Sequence, residues 1–152
     1  MSDAGRRGPM RSRCEYRHFL TLPTRWQDND AYGHINNAAY YGFIDTAVNR
    51  YLIDGGFLDW EKGEVIGLVA ENGCRYAKPM AFPDPVTVGL CVTRIGNSSV
   101  HYEAGLFSGD DEDASAEGYY VHVYVDRATT RPAPLPDALR SLLEPLVLHG
   151  QV

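Results

Sequence analysis

Carboxylate, imidazole and amide side chains are concentrated in one short polar stretch, Arg25 to Asn37, which leads directly into an apolar segment. A carboxylate such as that of Asp28 or Asp30 can act as a general base or as a nucleophile, and His34 can polarise a carbonyl group or position water. The free N–H groups at a helix start can stabilise a developing oxyanion. Spacing alone supports two interpretations of Asp30 equally, as a catalytic group or as a turn-capping residue.

The same stretch matches part of the pattern of a calcium-binding EF-hand loop. However, Tyr32 stands where that loop needs an oxygen ligand, and Ala39 stands where it needs a bidentate glutamate. A transition-metal site built from Asp28, Asp30 and His34 would lack a second histidine nearby. The sequence therefore predicts no metal site.

The apolar residues that follow recur at helical spacing and predict a helix from about Ala38 to Ile53. Asn36 or Asn37 can cap its start, and Gly55-Gly56 supplies its end. The helix is apolar over most of its circumference, so other elements must enclose it. The loop after it is predicted to contribute apolar contacts from three side chains, Phe57, Leu58 and Trp60.

The rest of the chain reads mainly as strands, which predicts an α+β fold with an antiparallel sheet curved around the helix. The first strand contains Pro23, which places it at a sheet edge or at a bulge. The second is predicted to bulge at Gly73. The predicted strands span Tyr16 to Trp26, Val65 to Lys78, Pro83 to Ile95, Ser99 to Phe107 and Ala116 to Asp126, and a short amphipathic helix spans Asp137 to Leu148.

Length and composition predict a single domain over residues 15–152, preceded by a disordered arm over residues 1–14. The formal net charge of -6 argues against a general nucleic-acid binder, because such proteins carry a basic surface. Three dispersed cysteines and the lack of a signal-peptide pattern predict free thiols in the cytoplasm. No apolar run approaches the roughly 20 residues needed to cross a bilayer.

The motif RWQDNDAYGHINN, followed by Tyr40 and Tyr41, resembles the hotdog-fold acyl-CoA thioesterases of the 4-hydroxybenzoyl-CoA thioesterase-like family. The resemblance extends from Tyr16 to Leu148, with later matches at Cys74-Arg75-Tyr76 and Pro79, Gly96 to Ser99, Val125-Asp126, Arg131-Pro132 and Leu135-Pro136. It implies a hotdog fold, in which a five-stranded antiparallel sheet wraps around one long central helix. It also implies a homodimer or homotetramer with active sites at the dimer interface.

By this resemblance the protein hydrolyses an acyl- or aryl-CoA thioester without metal or cofactor, coenzyme A being part of the substrate. Asp30 would be the base or nucleophile, His34 would position the substrate, and Asn37 would hold water. Backbone N–H groups around Asn36 to Ala38 would be the oxyanion donors. The residues expected to bind substrate are Asp28, Gly33, Asn36, Tyr40, Tyr41, Arg75, Ser98, Ser99 and Arg131.

Simpler structural roles stand beside several of these assignments. Asp28 can be a turn residue, Asn37 a helix cap, and Tyr40 and Tyr41 core residues. Cys74 could be proposed as a nucleophile, but a small buried strand residue is the better interpretation. Two other functions remain open: a hydratase or dehydratase acting on acyl thioesters, and a non-catalytic acyl-CoA binding protein.

Overall fold

A computed structural model describes residues 8–57 and 61–148, which form one antiparallel sheet with a long helix on its inner face. The strands lie in the order β1-β3-β4-β5-β2. This is the predicted five-stranded sheet with one long helix and a short C-terminal helix. The elements are β1 (His18–Leu22), α1 (Asn37–Asp54), β2 (Val65–Tyr76), β3 (Val86–Ile95), β4 (Ser99–Ser108), β5 (Ala116–Asp126) and α2 (Asp137–Leu143).

The sheet has two edges, β1 and β2. Strand β1 ends at Leu22, directly before Pro23, so the prediction of an edge strand is confirmed. The predicted bulge at Gly73 is wrong, because the register between β2 and β5 shifts between Val69 and Glu71 instead. Gly73 stays in register, and the ring of Tyr119 covers the space that a Cβ would occupy there.

Helix α1 buries one side against the inner face of the sheet, with Ile44 and Val48 fully enclosed. Its start is capped by Asn36, whose side-chain oxygen accepts a hydrogen bond from the N–H of Ala38 at 2.9 Å. Its end falls at Gly55-Gly56, as predicted, and Gly56 adopts a positive φ of 74°. Leu58 and Trp60, two of the predicted apolar contacts after this end, lie outside the described residues.

The outer face of the sheet is covered by residues 8–16, which differs from the predicted disordered arm. Arg11 forms an ion pair with Glu103, and the guanidinium of Arg13 lies 4.7 Å from the ring centroid of Phe107. Tyr16 is buried on this face together with Cys91. Residues 8–14 are therefore held to the sheet by charge pairs and aromatic contacts, while residues 1–7 of the predicted arm lie outside the described range.

The C-terminal helix is shorter than predicted. Helix α2 ends at Leu143, and a 3₁₀ turn over Glu144–Leu146 replaces the rest of the predicted span to Leu148. Pro145 explains the change, because proline has no N–H and its ring clashes with the preceding helical turn. The buried Leu139 and Leu143 still close the core below the helix α1.

Candidate active site

The polar loop before α1 is closed on itself by backbone hydrogen bonds. The N–H of Asp30 donates to the carbonyl of His34 at 2.8 Å, and the N–H of Asn36 donates to the carbonyl of Asp28 at 2.8 Å. Gly33 sits at the tip with φ of 78°, a conformation that most other residues adopt only with strain. The loop therefore presents its side chains from a defined frame directly beside the helix start.

Asp28 anchors this loop from inside. It is only 6% exposed, and its carboxylate accepts hydrogen bonds from the N–H of Arg25 at 2.8 Å and from the Arg25 guanidinium at 3.0 Å. A buried carboxylate needs such partners, since an unpaired charge away from water is costly. The arrangement matches the structural role considered for Asp28.

Asp30 is half-buried and differs from Asp28 in its partners. Its Oδ1 accepts a hydrogen bond from the N–H of Tyr32 at 2.8 Å, whereas its Oδ2 has no hydrogen-bond partner among the described residues. Burial raises the pKa of Tyr40; the backbone of Met80 lowers it, and the nearby Cys74 thiol and Asp30 carboxylate raise it further. Asp30 thus combines a fixed carboxylate with one oxygen left available for chemistry.

Only one of the N–H groups expected to stabilise an oxyanion is available. The N–H of Asn36 donates to Asp28, and that of Ala38 donates to the Asn36 side chain. The N–H of Asn37 has no partner within residues 8–57 and 61–148, and it lies in the first turn of α1, where the helix dipole is positive. Of the expected donors from Asn36 to Ala38, Asn37 therefore has the N–H that is left without a partner in these ranges, and the cap is Asn36 rather than Asn37.

Aromatic side chains surround the helix start. Tyr40 is buried and meets the ring of Tyr76 edge-on at 4.9 Å between centroids. Tyr41 is half-buried, and its carbonyl accepts a hydrogen bond from the hydroxyl of Tyr120 at 2.7 Å. The side chain of His34 is exposed and forms no hydrogen bond with the described part of the chain. The predicted residues Gly33, His34, Asn36, Asn37, Tyr40 and Tyr41 therefore lie together around Asp30 and the helix start.

Arg75 is engaged on the outer face of the sheet. Its guanidinium bonds to the carboxylate of Glu117 at 2.9 Å and to the carbonyls of Gly8 at 2.6 Å and Pro9 at 3.2 Å. These contacts hold the N-terminal segment in place. A contact between Arg75 and coenzyme A stays a prediction and would have to compete with them.

Ser98, Ser99 and Arg131 lie far from the polar loop within one chain. Ser99 pairs with Val123, seven residues from Ala116 along β5, which is roughly 23 Å of extended strand. Ala116 itself pairs with Tyr76 beside the helix start. The exposed Arg131 follows the far end of β5, where its carbonyl accepts a hydrogen bond from the N–H of Asp126. In a single protomer these three residues cannot join a site at Asp30.

Sequence reasoning missed one polar cluster, which lies on the inner face of β4 and β5. His122 is 4% exposed and packs edge-on against Tyr102 at 5.2 Å and against Tyr124 at 6.5 Å. Burial lowers the pKa of His122, and Asp45 opposes this. The alternation of β5 shows that His122 shares a face with Tyr120 and Tyr124, but alternation does not say which face meets the helix.

Two cavities are prominent, and neither is lined by Asp30. One of about 560 Å³ lies on the outer face beneath residues 8–16, where Arg11, Arg75, Glu103 and Glu117 line it. The other, of about 300 Å³, lies on the inner face beside His122 and Tyr124. No residue of the loop from Arg25 to Asn37 lines either of these two cavities.

No group of three or more His, Cys, Asp or Glu side chains within residues 8–57 and 61–148 is arranged to hold a metal ion. No helix in the same ranges is long and apolar enough to cross a membrane.

Comparison with known proteins places this geometry among thioesterases. A model of the thioesterase-like superfamily matches residues 24–143. The chain is 24% identical over 119 residues to the long-chain acyl-CoA thioesterase FadM of Escherichia coli, covering 78% of this chain and 90% of FadM. The PA5185 protein of Pseudomonas aeruginosa is 50% identical with a TM-score of 0.90, covering 94% of this chain and 100% of its own. A Thermus thermophilus thioesterase, solved with coenzyme A and Zn, is 30% identical with a TM-score of 0.72, covering 87% of this chain and 95% of its own.

Proposed function

The chain belongs to the thioesterase-like superfamily, and on this premise we propose that it hydrolyses an acyl- or aryl-CoA thioester to a free acid and coenzyme A. One observation carries the proposal: Oδ2 of Asp30 and the N–H of Asn37, both without a partner among the described residues, belong to one closed loop at the helix start. Thioester hydrolysis needs a group of each kind, a base or nucleophile and an oxyanion donor.

In this proposal Asp30 activates water as a general base or attacks the thioester carbonyl directly. The N–H of Asn37, at the positive end of the α1 dipole, stabilises the oxyanion that forms. Removal of one such donor from a protease costs about 10²–10³ in rate, so a single N–H can supply a large part of the catalysis. The exposed His34 positions the substrate, and the Asn37 side chain holds the attacking water.

A second copy of the chain would complete the site through the edge strand β2. This strand is twelve residues long, and it exposes Leu68 and Val69 at 45% and 46%. A long apolar edge with unpaired backbone groups is a template for pairing with another strand. We therefore propose a homodimer, or a tetramer built from such dimers, in which β2 pairs with the same strand of the partner.

The symmetry of such a dimer would bring residues from the far end of one subunit's sheet close to the Asp30 loop of the other subunit. A two-fold axis near the middle of β2 pairs the strands antiparallel, so the Tyr76 end of one strand meets the Val65 end of the other. The Val65 end pairs with Asp126 in its own subunit. The partner subunit's Ser98, Ser99 and Arg131 would then lie towards the Asp30 loop, where they can contact the coenzyme A phosphates.

The proposed hydrolysis needs neither metal nor cofactor, and coenzyme A takes part only as a portion of the substrate. All three cysteines are free, and this supports a reducing, cytoplasmic location.

The decisive experiment compares Asp30→Asn with the wild-type protein in an assay of free-thiol release. The substrates are short, medium, long and aryl CoA esters. The asparagine side-chain oxygen can still accept the hydrogen bond from Tyr32, so the loop is retained while the base or nucleophile is lost. We expect a fall in kcat/KM of about 10²-fold or more.

Asp110→Asn is the matched control, because it makes the same change on an exposed turn. Turnover by Asp30→Asn near the wild-type rate would reject the proposed role of Asp30. A loss of enoyl-CoA absorbance without thiol release would instead indicate a hydratase. Tight binding of CoA esters without turnover would indicate a binding protein.

A further inference from the structure

Glu117 lies on the outer face of β5, directly opposite Arg75 of the edge strand β2. Its Oε2 accepts hydrogen bonds from the Arg75 guanidinium, from Nε at 3.3 Å and from Nη2 at 2.9 Å. Its Oε1 accepts a hydrogen bond from the backbone N–H of Arg11, in the segment of residues 8–16 that crosses this face. The carboxylate of Glu117 therefore ties the end of β2 both to β5 and to that segment.

The ion pair between Glu117 and Arg75 is largely shielded from water. The exposed fractions of the two side chains are 17% and 28%. The same guanidinium donates to the carbonyls of Gly8 at 2.6 Å and Pro9 at 3.2 Å. Removing one partner of a shielded pair leaves a charge without compensation, so such a pair resists opening. The position of Arg75 is thus fixed from the sheet and from the segment that covers it.

Arg75 is the last outer-face residue of β2 before the strand ends at Tyr76. Directly after Tyr76, the N–H groups of Ala77 and Lys78 both donate to the carbonyl of Ser115, at 2.8 and 3.0 Å, and regular strand pairing stops there. Side chains alternate between the two faces along a strand. Arg75 therefore holds the strand end from the outer face, while Tyr76 points to the inner face.

On the inner face, Tyr76 joins the strand end to the candidate active site. Its hydroxyl donates to the carbonyl of Asn37, the first residue of α1, at 3.2 Å. The N–H of Asn37 is the proposed oxyanion donor, and such a donor acts only when it points at the position of the oxyanion. A misplacement of about 1 Å by a distant mutation can cost about 100-fold in rate. The position of the strand end can therefore influence the rate of the proposed reaction.

We propose that Glu117 is a positioning residue of the thioesterase. It fixes Arg75 and with it the end of β2, so that Tyr76 holds the helix start with the N–H of Asn37 directed at the reacting carbonyl. Glu117 itself does not touch the substrate. The role depends on the proposed function, because it acts on the oxyanion donor assigned there.

Glu103 provides the control that separates positioning from stability. It lies on β4 and forms an ion pair with the guanidinium of Arg11, so it holds the same segment to the same face of the sheet. Its exposed fraction of 31% is close to that of the residues in the Glu117 pair. In the part of the chain that the structure describes, it has no ion pair or side-chain hydrogen bond with β2. Glu103 thus stabilises the segment without reaching the strand end.

The first test compares Glu117→Gln with Glu103→Gln in thermal unfolding and in the assay of thiol release. A glutamine has one acceptor oxygen where a glutamate has two, so Glu117→Gln cannot hold Arg75 and the N–H of Arg11 together. Both variants should lower the melting temperature by about 2–4 °C. Only Glu117→Gln should lower kcat, by about fivefold, the factor that corresponds to one net hydrogen bond, while KM for the acyl-CoA stays unchanged.

A double-mutant cycle tests the route through Tyr76. Tyr76→Phe removes the hydroxyl that reaches Asn37, so adding Glu117→Gln to Tyr76→Phe should cause little further loss of kcat. Losses of kcat that multiply in the double variant would overturn the proposal. A wild-type kcat in Glu117→Gln, or an equal loss of kcat in Glu103→Gln, would overturn it as well.

A measurement on the protein without substrate does not depend on activity. The amide signals of Asn37 and Ala38 are followed by NMR, since the N–H of Ala38 belongs to the peptide unit whose carbonyl accepts the Tyr76 hydroxyl. Both signals should move in Glu117→Gln and keep their wild-type positions in Glu103→Gln. Unchanged signals in Glu117→Gln would overturn the proposal. If Asp30→Asn keeps wild-type activity, the proposed function is rejected, whereas signal changes confined to Glu117→Gln still support the link from Glu117 to the helix start.

Discussion

The hydroxyl of Tyr76 donates a hydrogen bond to the backbone carbonyl of Asn37 at 3.2 Å. Tyr76 is the last residue of the edge strand β2, and Asn37 is the first residue of α1. The ring of Tyr76 also packs edge-on against the ring of Tyr40, which lies three residues after Asn37 in the same helix. The edge proposed for pairing and the helix start proposed for catalysis are therefore in direct contact.

Replacing Tyr76 with Phe tests this contact, because it keeps the ring and removes only the hydroxyl. We expect the free energy of unfolding to fall by about 0.5–1 kcal/mol, the low part of the range for one hydrogen bond, since Tyr76 is 44% exposed. We also expect kcat to fall severalfold while the proposed dimer persists. Chemical denaturation, thiol release and sedimentation measure the three quantities.

Tyr32→Phe is the control for stability. Tyr32 is 85% exposed, and its hydroxyl has no hydrogen-bond partner in the described chain. Equal stability of Tyr76→Phe and Tyr32→Phe would contradict a structural contribution of the Tyr76 hydroxyl.

Replacing two different glycines with alanine is expected to change the free energy of unfolding in opposite directions. A Cβ at Gly118, on the inner face of β5, would lie 2.4 Å from Cδ1 of Ile44 and 3.2 Å from the carbonyl oxygen of Gly73. Gly118→Ala should lower the free energy of unfolding by about 1–3 kcal/mol through overpacking. Gly42 lies within α1, and a Cβ added there would have no neighbouring atom within 4 Å, so Gly42→Ala should raise it by about 0.5–1 kcal/mol. Thermal and denaturant unfolding measure both changes. Changes in the free energy of unfolding that have the same sign in the two variants would contradict the packing described here.

Two arginines predicted to bind substrate should differ in effect. Arg75→Ala removes the bonds to Glu117 and to the carbonyls of Gly8 and Pro9, and should lower the free energy of unfolding by about 1–3 kcal/mol. Arg131 is exposed, so Arg131→Ala should leave stability unchanged and raise KM for an acyl-CoA about three- to tenfold. The KM of a short thioester without the nucleotide should not change.

Steady-state kinetics with the two kinds of substrate separate these effects. An increase in KM for both substrates in Arg131→Ala would argue against a contact with the nucleotide. A stable Arg75→Ala protein with a raised KM for acyl-CoA would instead support the predicted contact between Arg75 and the substrate.

We expect the free energy of unfolding to depend on pH through the protonation of His122. Burial lowers the pKa of His122 below its ordinary value of 6.5, and the Asp45 carboxylate opposes the shift only in part. The unfolded chain therefore binds a proton at a higher pH than the folded chain does. The free energy of unfolding should fall as the pH is lowered below about 6.5, and His122 should contribute no pH dependence well above that value.

Unfolding measured between pH 5 and pH 8 in wild type and His122→Phe checks this sign. Tyr102, Tyr120 and Tyr124 surround the imidazole and stay neutral over this range, since burial raises the pKa of each. The variant should lose the part of the slope below about pH 6.5 that His122 supplies. Identical slopes of the free energy of unfolding against pH in the two proteins would contradict the proposed contribution of His122.

The amino-acid sequence determined the order of the elements and most of their ends. Pro23 cannot donate to a ladder, Asn36 can accept an N–H at a helix start, and Gly55-Gly56 can end a helix. Each of these properties acts over a few residues of the chain, and the structure has each feature where local chemistry predicts it. Local chemistry also brought Asp30 and Asn37 to one loop.

The tertiary structure alone decided which groups are free to act. Periodicity places His122 on one face of β5, but only packing against α1 turns that face inward and leaves its imidazole unpartnered among the residues that the structure describes. The availability of a group depends on contacts between segments distant in sequence, and spacing along one segment carries no information about those contacts.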